Sequence, residues 1–240
     1  MRKHNIICLI LSLCFSLALS ACDEGTIYEK ELVIPQNGFT CRLTANITGL
    51  DTWPNNYELA LAGLSSDDAV TIYKVITSNG DVSIDMSNIN ENIAKVQLCI
   101  MEKASRKSII AYKEIEKENF NAENDIIAIN AGNIDVSMYA TIQEYIFNDK
   151  CISCHGSQGS APRNLFLTTG RSYDDLVNVQ SKANSQYVLV KPNNAANSLL
   201  PLVLSENGLI AHDHADILDP RKSTTLVALI KDWINNGAKE

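Results

Sequence analysis

The last hundred residues contain no methionine. The final one is Met138, so no thioether is at hand as a metal ligand near the C-terminus. Histidine is nearly as scarce, the full set being His4, His155, His212 and His214. The region from about residue 24 to residue 135 holds no histidine, and its acids are scattered, which excludes a catalytic or metal constellation there. Only one Cys-x-x-Cys occurs, so the second pair that a common zinc site would need is missing. Beyond residue 22 no apolar run is long enough to cross a bilayer. Positive charge is in deficit too: 20 Lys and Arg stand against 28 Asp and Glu, for a net charge of −8, which disfavours nucleic acid and anionic lipid as partners.

What is present begins with a leader. Arg2 and Lys3 precede an apolar run from Ile6 to about Leu19, and small residues then end at Cys22, as in a secretion signal. Leu19, Ser20, Ala21 and Cys22 resemble the lipobox of bacterial lipoproteins, in which the cysteine is acylated and becomes the first residue of the mature chain. That resemblance implies a leader region spanning residues 1–22, cut before Cys22, and a membrane anchor through lipid on that cysteine. The net charge would then be −10, with 18 basic residues against 28 acidic. The remaining 218 residues exceed one typical domain and suggest two. Of seven cysteines, Cys8 and Cys14 leave with the leader, Cys22 takes lipid, and Cys151 and Cys154 form the single pair. Cys41 and Cys99 are left over, either bridged or as two separate thiols: Cys41 is in phase with Phe39 and Leu43, whereas Cys99 is out of phase with Leu98 and Ile100.

Residues 23–135 read as strands and turns. In FTCRLTANITGL, Phe39, Cys41, Leu43, Ala45 and Ile47 alternate with Arg42, Thr44, Asn46 and Thr48. Further runs of this kind are YELALAGL, AVTIYKVI, GDVSIDM, AKVQLCIM, KSIIAYKEI and NDIIAIN, separated by turn residues such as Ser78-Asn79-Gly80-Asp81. Seven short strands predict an antiparallel β-sandwich of the immunoglobulin-like sort, acting as a spacer or interaction module. From residue 136 to residue 240 the period changes. Ile142, Tyr145 and Ile146 lie at helical spacing, Ser172 with Asp175 reads as a capping box, and Ser198 reads as a helix start. Leu226, Val227, Leu229, Ile230, Trp233 and Ile234 mark a last helix that begins at Ser223 or Thr224 and stops at Gly237. A mainly α domain is the expectation for 136–240, giving a multi-domain chain of α and β parts.

Cys151-Ile-Ser-Cys154-His155 is the attachment pattern of c-type haem. Two thiols three positions apart reach the two vinyl groups on one porphyrin edge, and the next residue turns its imidazole to the iron. The rivals are a zinc half-site, a redox-active cysteine pair and two structural cysteines. Zinc would need ligands that are missing, and a thioredoxin-like pair would want a βαβ context. Export also suits haem, because this attachment is made outside the cytoplasm.

FNDKCISCHG, NLFL followed by SYDDLVN, VKPNNAANSLL and the terminal ALIKDWINNGA carry a resemblance. Over about 95 residues from Phe147, the chain resembles the cytochrome c domains of planctomycete-type and related bacterial exported proteins. Asn193 stands where those domains usually have glycine. They place a methionine before the final helix as distal iron ligand, and this chain has His212-Asp213-His214 in that stretch instead. The resemblance therefore implies one covalent haem c with His155 as proximal ligand and His214 as distal ligand, His212 being the alternative and Asp213 or Asp216 available to orient an imidazole. Two imidazoles favour ferric iron and fill both axial positions, which suits an electron carrier with a redox partner protein more than an enzyme. Other readings are a haem enzyme or ligand sensor with an open iron site, and a surface-binding β-sandwich with an accessory cytochrome. Arg163 and Arg171 are candidates for the haem propionates, and Tyr187 and Trp233 for the core. The expected location is the cell envelope of a Gram-negative-type bacterium, lipid-anchored on the periplasmic or cell-surface side.

Overall fold

The computed structural model describes residues 38–120, 122–123, 125–156 and 161–240, all within one compact unit. The leader and Cys22 lie outside the described residues. Among those described, no helix is long and apolar enough to cross a membrane.

The seven expected strands form. They are β1 (Phe39–Thr48), β2 (Tyr57–Leu64), β3 (Val70–Ile76), β4 (Gly80–Ile89), β5 (Lys95–Glu102), β6 (Lys107–Glu116) and β8 (Ile126–Asp135), with a two-residue β7 at Ala122–Glu123. They make two four-stranded sheets, ordered β4-β1-β8-β7 and β3-β2-β5-β6. Alternation decides what is buried: Cys41, Leu43 and Ile47 of β1, Leu59 and Leu61 of β2, and Leu98 and Ile100 of β5 are fully enclosed in one core. The pairing is not wholly antiparallel, because β1 runs parallel to β8 from Thr40↔Ile126 to Thr48↔Asp135. Local alternation fixes a strand's faces but not the direction of a neighbour 86 residues away.

Cys41 and Cys99 are both free. Cys41 faces the main core, whereas Cys99 faces a separate small cluster with Ala62 and Leu64. Burial pushes the Cys41 thiol up to about 12 and the Cys99 thiol up to about 11. Unfolded, both ionise near about 8.5. Above that pH the unfolded chain holds fewer protons than the folded one, so stability falls as pH rises toward 11. Urea midpoints at pH 7.5 and pH 10 should show this loss. A Cys41→Ala, Cys99→Ala double variant should lose less across the same interval, and an unchanged pH dependence would contradict the assignment.

The expected mainly α part is not there. Strand accounts for 35% of the described residues and helix for 27%, and the helices are short. The segments are α1 (Met138–Ile142), a π-helical stretch (Gln143–Cys151), α2 (Ile152–His155), α3 (Ser172–Leu176), α4 (Leu199–Val203) and α5 (Ser223–Asn235). Between them the chain is broken by Pro162, Pro192 and Pro220 and by positive φ at Arg163, Asn164, Asn178 and Asn193, so its apolar residues line loops instead of stripes. Isolated bridges join Val177 to Val190 and Val188 to Ser198. The helix starts also differ in chemistry. The Ser172 hydroxyl caps nothing, because it is hydrogen-bonded to Tyr139 and Gln143. Ser198 does precede α4, but its hydroxyl donates to Asn194 O and accepts from Lys191 N. Gly237, at φ 96°, ends α5 as expected.

Sheets and helices share one hydrophobic core. The Trp53 indole N–H donates to Val136 O at 2.5 Å, Tyr112 OH meets Thr141 Oγ1 at 2.7 Å, and Tyr57 OH donates to Asp232 at 2.8 Å. The step from β8 to α1 is therefore braced on both sides.

Candidate haem site

α1, the π-helical stretch and α2 form one continuous helical run that delivers Cys151, Cys154 and His155 to its end. Ile142, Ile146 and Phe147 anchor that run, each fully buried. Cys154 is exposed and Cys151 half-buried, its sulfur 3.7 Å from Ile146 O. Burial raises the Cys151 thiol to about 11. A nucleophilic redox cysteine needs the opposite shift, so Cys151 is poorly suited to start disulfide exchange. Gly156 follows His155 because a Cβ at that position would collide with the Ile152 carbonyl oxygen.

Beyond these residues opens a cavity of about 720 Å³, within the size range of cofactor sites. Phe147, Leu167, Leu176, Leu199, Val203 and Ile217 contribute its apolar wall, and Cys151, Cys154, His155, His212 and His214 all face it. The segment from about residue 176 to residue 217, loops around the short α4, supplies much of the wall.

The two candidate ligands lie close together. The His155 and His214 rings have centroids 6.3 Å apart and planes 35° apart. Each is held the same way: Nδ1 of His155 donates to Leu165 O at 2.9 Å, and Nδ1 of His214 donates to His212 O at 2.7 Å. A carbonyl can only accept, so both rings carry the proton on Nδ1 and leave the Nε2 lone pair for a metal. Burial, ahead of the nearby His212 and His155, holds His214 below the usual imidazole range and so keeps it neutral.

This geometry can be set against the group it would hold. With metal–nitrogen bonds of about 2.0–2.1 Å and about 1.15 Å from Nε2 to each ring centre, two trans imidazoles place their centroids roughly 6.3–6.5 Å apart. The observed spacing falls in that range. Two is also the number of protein ligands that a tetrapyrrole leaves open, and among the described residues no group of three or more His, Cys, Asp or Glu is placed to hold a bare ion. The residues fit haem.

His212 is exposed, and its ring stands edge-on to His214 at 5.2 Å. Asp213 accepts from Gly208 N at 2.8 Å, which orders the loop without orienting an imidazole. Arg163 lines the cavity, in the left-handed region at φ 59°. Arg171 does not line it: its guanidinium sits 3.6 Å over the Phe166 ring and pairs with Asp175 at 3.3 Å. Trp233 is core, stacked on Tyr139, and Tyr187 is half-buried.

No protein-family model and no curated protein matches the chain. The functional reading rests on the geometry of the site and on its motif.

Proposed function

We propose that this chain is an exported haem protein of the c type that carries single electrons in the cell envelope. One observation carries the proposal: the His155 and His214 rings, each with Nδ1 tied to a backbone carbonyl, lie 6.3 Å apart on the cavity that the cysteine pair also lines. Cys151 and Cys154 would hold the porphyrin through thioethers. His155 and His214 would bind its iron. When bound, the group supplies a reversible one-electron ferric/ferrous couple, placed toward low potential by two imidazoles.

The chain's own residues do the rest. The apolar wall formed by Phe147, Leu167 and Leu176 excludes water, which limits reorganisation on electron transfer. Arg163, at the cavity rim, is suited to pair with a propionate through its planar fork. Cys154 is exposed, so a group attached there would be within reach of a redox partner. The resemblance to exported bacterial cytochrome c domains from about Phe147 supports this reading, as does the leader. Acylation of Cys22 would tether the protein to a membrane, on the periplasmic or cell-surface side.

Expression of the full chain with its leader, in a host equipped for cytochrome c maturation, tests the proposal. Haem staining on a denaturing gel should survive acid–acetone extraction and disappear in the Cys151→Ala, Cys154→Ala variant. Exported, folded protein without covalent haem would refute it.

A further inference from the structure

We propose that Gln143 is a positioning residue for His155. It would fix the Leu165 carbonyl that accepts the imidazole Nδ1–H, by pinning the adjoining backbone at Leu167. The inference rests on the haem reading above.

Gln143 is 6% exposed, and every polar atom of its amide is engaged. Its Nε2 donates to Leu167 O at 2.9 Å and to Asn148 Oδ1 at 2.8 Å, while its Oε1 accepts from Ser172 Oγ. Ser172 in turn meets Tyr139 OH at 2.5 Å. Burying an amide here is costly unless all these bonds are made, and a plain apolar side chain would fill the space without that risk. What the amide adds is a tie between two segments 24 residues apart.

The segment it holds is the one that touches the proximal ligand. Leu165 O accepts from His155 Nδ1, and Leu167 N donates to His155 O at 2.9 Å. Phe166 N, between them, donates to Asp175 Oδ2 at 2.9 Å. Three consecutive residues are thus fixed from three directions, and Gln143 provides the tie that comes from the helical run upstream of Cys151. It couples the position of the thiols to that of the carbonyl behind the imidazole. A firm Nδ1–H···O=C bond makes the imidazole a stronger donor and favours ferric iron.

Gln143→Met keeps the length and neutrality of the side chain while removing the amide. In haem-loaded protein it should leave covalent attachment and the low-spin spectrum in place. The midpoint potential should move to more positive values, by up to tenfold in the oxidised-to-reduced ratio at fixed potential, about 59 mV for one electron. In haem-free protein the same variant should speed exchange of the His155 Nδ1 proton, followed by nitrogen-15 NMR. Tyr139→Phe alters the far end of the network and should do neither. If Gln143→Met fails to fold, Gln143→Asn, which withdraws the amide by one methylene, should give the same two shifts. Unchanged potential and unchanged exchange in a folded Gln143 variant overturn the inference alone, whereas absence of covalent haem in the unsubstituted chain overturns the haem reading beneath it.

Discussion

His214→Ala is expected to convert a six-coordinate low-spin iron into a five-coordinate high-spin one that takes up cyanide or carbon monoxide rapidly. His212→Ala is expected to keep the low-spin spectrum. The asymmetry follows from what each residue contributes. The His214 ring lies 6.3 Å from the His155 ring, and the atom of His212 that serves it is a backbone oxygen, which alanine retains. Optical and electron paramagnetic resonance spectra of the two single variants decide the matter. Loss of the low-spin state in His212→Ala alone would reassign the distal ligand, and its persistence in both would remove the histidine pair from the iron altogether.

A second large effect is expected away from the iron. Trp233 is 2% exposed, stacks on Tyr139 with centroids 5.2 Å apart, and donates its indole N–H to Lys239 O at 2.7 Å. Trp233→Ala should cost about 3–5 kcal/mol, against a total stability of about 5–15 kcal/mol for an ordinary domain. The loss should appear as a lower urea midpoint at constant slope. Yield of covalent haem should fall only in step with the folded fraction, because attachment needs Cys151 and Cys154 delivered by the folded helical run. A loss below about 1 kcal/mol would mean that α5 packs less tightly than its burial indicates.

Much of this was legible before any coordinates. Strand faces are set by a period of two, so Cys41, Leu43 and Ile47 could be placed in the core from sequence, and Cys99 could be seen to face elsewhere. The cysteine pair with its histidine is a local pattern, and the scarcity of histidine and methionine pointed to His212 and His214. What escaped sequence reading is long-range or irregular. The parallel pairing of β1 with β8 depends on a partner far along the chain. The short helical signals at Ser172 and Ser198 are real starts, but five residues of helix do not make a helical domain when proline and left-handed asparagine follow. The carbonyls of Leu165 and His212 carry no side-chain signature at all, although they orient the two rings. Gln143 read as an ordinary residue of a helix, since nothing in QEYIFNDK announces that its partner is Leu167. Arg171 looked like an equal of Arg163 because charge can be read from sequence, whereas its engagement with Phe166 and Asp175 cannot.

The parallel alignment of β1 with β8 also has a mechanical side. Tension that enters at Phe39 and leaves beyond Asp135 pulls the two strands past each other lengthwise, so their cross-strand bonds share the load at once instead of opening one by one. A tug from the upstream end would be absorbed in that sheet before it reached the helical run that carries Cys151 and His155.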